Sequence, residues 1–78
     1  MLTASERNKL PLEDFLRWRV EQEAAAFRQA YNFVVQGEAA VRQAGYTSVS
    51  HYVSERRMAL ENAHRAWERA NPAEALPT

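Results

Sequence analysis

The sequence predicts an all-α protein folded as an antiparallel helical hairpin, and three observations carry that expectation. Only two glycines and three prolines interrupt 78 residues rich in Ala, Glu, Gln and Arg, which favour helix. Apolar residues recur at alternating steps of four and three through two long segments, the period of one helix face. Between those segments stands Gly45-Tyr46-Thr47-Ser48, a glycine suited to end one helix and hydroxyl side chains suited to cap the next.

The elements follow in chain order. Thr3-Ala4-Ser5-Glu6 has the capping-box form and predicts a short N-terminal turn before Leu10. Pro11 reads as the first position of a long helix, followed by Glu13 and Asp14 at the positive end of its dipole. The helical pattern runs from about residue 11 to 44, with a kink or break possible at 35–37. There Val34 and Val35 are β-branched, and Gly37 lowers helix propensity. Its stripe is Leu16, Val20, Glu23, Phe27, Ala30, Val34, Gly37, Val41 and Ala44. A second helix over about 48–70 carries Val49, Val53, Arg56, Leu60, Ala63, Trp67 and Ala70, and Asn71-Pro72 ends it. Folding one stripe on the other across a tight turn pairs Val41 with Tyr52 and Val53, Val34 with Leu60, Ala30 with Ala63, and Phe27 with Trp67. It also sets Gly37 opposite Arg56, whose stem is expected to lie over the bare glycine backbone. The whole is one small domain, 1–78, with 71–78 as a flexible tail.

The first helix carries more apolar surface than one neighbour covers. Phe15, Ala26, Phe33 and Ala40 lie about 100° to one side of the Leu16–Val34 line, and Ala24, Tyr31 and Val35 roughly 60–100° to the other. A chain this short buries a thin core. Pairing of two copies into a four-helix bundle is therefore the favoured answer, with a foreign protein on the same surface as the alternative.

Composition narrows the chemistry. Without cysteine there is no disulfide or thiolate metal site. The histidines, His51 and His64, are thirteen residues apart, not at the i, i+3 or i+4 spacing of ligands on one helix. Ser48, Ser50 and Ser54 near His51 lack a glycine-rich elbow, and Glu23 has Arg19 one turn away as an ion-pair partner. No phosphate loop or dinucleotide fingerprint is present. An enzyme is not expected, nor a cofactor. Ten basic and ten acidic residues cancel, whereas nucleic-acid binders usually carry a basic excess. No stretch is apolar enough to span a membrane, and Met1–Arg7 lacks a signal-peptide pattern, so a cytoplasmic protein is expected.

Trp18 stands out, about 160° from the stripe on the back of the first helix and flanked by Arg17 and Arg19, residue types enriched at binding hot spots. Cover by the dimer or by the N-terminal turn, through Leu2 and Leu10, is the competing explanation. Trp18, Arg17, Arg19, Phe15, Phe33 and the outward-facing Met58 are the candidate partner-binding residues.

One local pattern resembles a known family. Ala44-Gly45-Tyr46-Thr47-Ser48-Val49-Ser50-His51-Tyr52-Val53 is similar to the turn and second helix of ribbon-helix-helix antitoxins, typically G-x-x-S-x-S-E-aromatic-Ile/Val-Arg. His51 stands where Glu is usual, and Ser54 where Arg is usual. The resemblance covers about ten residues. It implies a DNA-linked regulator with Arg56, Arg57, Arg65 and Arg69 as its basic face. That family also needs a strand, for which Tyr31-Asn32-Phe33-Val34-Val35 is the candidate only if the long helix is absent.

The leading expectation is a non-enzymatic interaction protein that blocks or bridges a protein partner as inhibitor, adaptor or regulator. The analogy is to the small helical proteins that phages and mobile elements direct at host machinery. An antitoxin-like regulator and a structural assembly subunit are the alternatives.

Overall fold

The computed structural model describes residues 1–74, and its regular structure is entirely helical. The elements are α1 (Ala4–Asn8), α2 (Leu12–Gln36), α3 (Glu38–Gln43) and α4 (Val49–Ala70). Among the described residues there is no strand, and Tyr31–Val35 lies within α2. The antiparallel pairing of α2 with α4 is the expected hairpin.

The caps form where the sequence places them. In α1, the Thr3 N–H donates to Glu6 Oε1 (2.9 Å) and the Glu6 N–H donates to Thr3 Oγ1 (3.1 Å). Hydrogen bonding to the carboxylate from the Thr3 backbone N–H first, and from the Thr3 side chain second, favours its ionised form, so Glu6 titrates below its ordinary range. At the other end of the hairpin, Gly45 (φ 96°) closes α3 in a Schellman turn. Its N–H donates to Arg42 O (3.0 Å), and that of Tyr46 to Val41 O (3.1 Å). Ser48 Oγ then accepts from the His51 N–H (3.0 Å) to start α4.

The long first helix is broken at Gly37. With φ 97° and ψ 175° this residue adopts a conformation nearly confined to glycine, and the chain turns there into α3. The return to α4 therefore begins at residue 37, not at the end of a straight 34-residue rod.

That early turn shifts the register. Trp67, expected opposite Phe27, stacks instead on Phe15 with ring centroids 5.1 Å apart, about three turns nearer the N-terminus of α2. Arg56 reaches Gln22 (Nη2 to Oε1, 3.4 Å), not Gly37. Helix α2 is also rotated by about 100° from the orientation its four-three stripe suggested. Phe15 and Phe33 are 0% and 5% exposed, whereas Phe27 is 70% exposed. Phe15 and Phe33 are eighteen residues apart, five full helical turns, so they share one azimuth. The open face carries Phe27 and Tyr31 besides Leu16 and Val34, so aromatic area alone does not choose the seam; Phe15 and Phe33 are the residues that pack on aromatic rings of α4, Trp67 and Tyr52.

The core is consequently split. At the hinge end Phe33, Val41 and Tyr52 cluster, with Phe33 edge-on to Tyr52 at 5.2 Å. At the open end Phe15 lies between Trp67 and Trp18. Here α1 is clamped to the end of α4: Trp67 Nε1 donates to Leu10 O (3.0 Å), and Asn71 Nδ2 to Asn8 O (2.8 Å). Asn71, expected in a flexible tail, makes hydrogen bonds to Asn8 and Trp67; residues 75–78 of that tail lie outside the described residues.

Candidate functional site

Between the two aromatic clusters the α2–α4 seam mixes the buried Leu60 and Ala63 with polar side chains. Arg19 bridges the helices, with Nε on Glu23 Oε1 (3.1 Å) and Nη1 on His64 Nδ1 (2.6 Å). Because an arginine only donates, that contact makes Nδ1 the acceptor, leaving the ring proton on Nε2 toward Glu68 (3.8 Å). His51 is placed alike: the Thr47 N–H donates to Nδ1 (3.0 Å), and Nε2 faces Glu55 (3.4 Å). Each histidine ring thus has partners that orient it locally within its helix end or seam. Among the described residues no group of three potential ligands is placed to hold a metal ion.

Beside this mixed seam, the helices splay into an open cleft of about 320 Å³. Ala26, Val53 and Leu60 form its apolar floor, Arg19 and Arg57 stand on its rim, and Phe27 borders it. Phe27 belongs to a larger feature. Leu16, Val20, Phe27, Tyr31, Val34 and Val35 are all exposed on α2. They occupy one face about 100° wide, turned away from the seam with α4. From Leu16 to Val35 this face is about 28 Å long. Taking roughly 150–200 Å² for each fully exposed side chain of this size, it presents on the order of 600 Å² of apolar surface. That equals the largest apolar patch on typical monomers, and such patches often mark interaction sites.

The candidate residues do not come together on this face. Phe15 and Phe33 are core residues, unavailable to a partner, because their shared azimuth faces α4. Trp18 is half-buried; one ring face stacks on Phe15 (5.6 Å) and the Arg7 guanidinium lies 5.7 Å from its centroid. The N-terminal segment thus supplies the cover that Trp18 required. Arg17 is tied to Glu13 and Asp14, each at 3.5 Å, in exposed pairs of little energetic weight. Arg19 belongs to the seam. Met58 is exposed on the far side of α4, half a helical turn from Leu60 and Tyr52.

Of the residues that the structure does gather, Val20, Phe27 and Val34 belong to the stripe whose periodicity suggested a buried seam, and Tyr31 and Val35 to the apolar flank beside it. Spacing does not distinguish the two faces, since Leu16 and Val34 are eighteen residues apart just as Phe15 and Phe33 are; what does is the aromatic partners that Phe15 and Phe33 find on α4, Trp67 and Tyr52. Fold and surface together define a helical hairpin with an open apolar face along its longer helix. No family model matches the chain, nor does any characterised protein or solved structure.

Proposed function

We propose that this protein is a non-enzymatic interaction module that engages another polypeptide through the apolar face of α2, as an inhibitor, adaptor or regulator. The observation that carries the proposal is Phe27. It stands 70% exposed at the middle of a contiguous face that includes a second aromatic and three valines. Leaving such a surface in water is unfavourable by about 25 cal/mol per Å², so whatever covers it gains that free energy, less the cost of association. A straight face on a long helix suits another helix laid alongside it, with side chains spaced at i, i+3 and i+4. Such cover comes from a foreign protein or from a second copy.

Capture from an extract of the native cells, with wild type, Phe27→Glu and Trp18→Ala run in parallel, tests the reading. A protein retained by wild type and by Trp18→Ala but lost from Phe27→Glu is the expected result. Retention by all three places the contact elsewhere and refutes the assignment of the α2 face.

A further inference from the structure

We infer that the α2 face is occupied by a second copy of this chain, laid antiparallel across it, with the two-fold axis passing between Ala24 and Phe27. The inference rests on the reading of this face as a binding surface and names its occupant. Three features of the face point to self-association.

The first is size complementarity under reversal. When α2 is set against its own reverse about the middle of the face, Leu16 meets Val35, Val20 meets Tyr31 and Ala24 meets Phe27, each pair twice. The smallest side chain in the row, Ala24, faces Phe27 at the centre, Val20 faces the other aromatic, Tyr31, and the aliphatic Leu16 and Val35 face each other at the ends. Interdigitation of this kind is what close packing of two helices requires.

The second is charge. In an antiparallel two-fold pair each flank of one helix borders the same flank of the other. Glu21 and Arg28 lie on one flank of the face, on the side away from α4, and both are exposed. Among the described residues neither makes an ion pair within the chain. Reversal about the same centre sets Glu21 of one copy opposite residue 30 of the other, two residues or about 3 Å along the axis from Arg28, an offset these two long side chains span, again twice. Charges that are unpaired in the single chain become two reciprocal pairs bordering the apolar contact.

The third is area. Two faces of on the order of 600 Å² together bury roughly 1,200 Å², the lower end of the range for specific, stable interfaces. The result is a four-helix assembly with the two α2 helices at its centre and the two α4 helices outside. A foreign helix binding the same face has to displace the second copy.

Sedimentation of the full chain over a concentration series reads the state directly. A monomer–dimer equilibrium is expected. Phe27→Glu should abolish the dimer while leaving the helical circular dichroism intact, since residue 27 lies outside the core. Charge reversal tests the orientation: Glu21→Arg alone should weaken the dimer roughly tenfold, and adding Arg28→Glu should restore it. The absence of cysteine allows a register test. Under oxidation, a mixture of Val20→Cys and Tyr31→Cys chains should form the mixed disulfide, while either chain alone should not. Residues 20 and 20 of an antiparallel pair stand about 16 Å apart, beyond disulfide reach. A wild-type monomer up to its solubility limit overturns the inference, as does Val20→Cys cross-linking to itself. If the chain is monomeric yet loses a captured protein on Phe27→Glu, the interaction reading stands and only the occupant is wrong. If it dimerises but captures nothing through Phe27, the occupant is right and the reading of a foreign partner falls.

Discussion

Replacing Gly37 by alanine reverses sign according to whether the first helix is broken. In a continuous helix the substitution removes a poor helix former and should stabilise by about 1 kcal/mol. In this structure Gly37 has φ 97° and ψ 175°, where a Cβ is strained by about 1–3 kcal/mol. An added Cβ meets nothing within 4 Å, so packing contributes no further penalty. Alanine also lowers the entropy of the unfolded chain, which offsets about 0.4–1 kcal/mol of the strain. The net expectation is destabilisation of about 1–2 kcal/mol. For a domain of this size that lowers Tm by roughly 5–15 °C. Thermal unfolding followed by circular dichroism at 222 nm, with the reversible denaturant midpoint as a second measure, reads it. An unchanged or raised Tm would refute the break at Gly37, and with it the register of α4 on α2.

Four further outcomes follow from the packing. Phe15→Ala should cost about 3–5 kcal/mol, and Leu16→Ala, one residue on, well under half of that by urea unfolding; equal losses would contradict the rotation of α2. Asn71→Ala removes the hydrogen bonds to Asn8 O and Trp67 O and should destabilise by about 1–2 kcal/mol, with faster amide exchange through α1. Glu6 has its folded-state pKa lowered from 4.5, so its support of α1 is complete above that value and fades as pH falls through the lowered one. Acid titration of helicity should therefore show a step in wild type that Glu6→Gln lacks. Binding through the α2 face should change little between low and moderate salt, whereas steep weakening of a duplex-DNA complex would favour the antitoxin-like alternative.

Local chemistry was legible in the residues themselves. The Thr3–Glu6 capping box, the Gly45 stop and the Ser48 cap each depend on groups within five residues of one another, so no tertiary information is needed to place them. The helical hairpin follows from periodicity and from the scarcity of glycine and proline, and the Val34-Val35-Gln36-Gly37 run marks the place of the break. The N-terminal turn was equally legible as an element, though its docking on Trp67 and Asn71 was not, since those residues lie near the other end of the chain.

Which face of α2 points inward was not legible from period alone. Leu16–Val34 and Phe15–Phe33 both satisfy a helical repeat, and a helix with apolar residues over a wide arc has more than one acceptable seam. The choice depends on what α4 presents, namely Trp67, Ala63, Leu60 and Tyr52, and on where the chain turns back. A turn at Gly37 rather than at Gly45 moves α4 by about three turns along α2, which is enough to exchange Phe27 for Phe15 as the neighbour of Trp67. The sequence by itself determined that there are helices, where they are capped, and that α2 carries more apolar surface than one partner covers. Only the tertiary structure decided which part of that surface is core and which is left open, because burial is settled between elements and not within one.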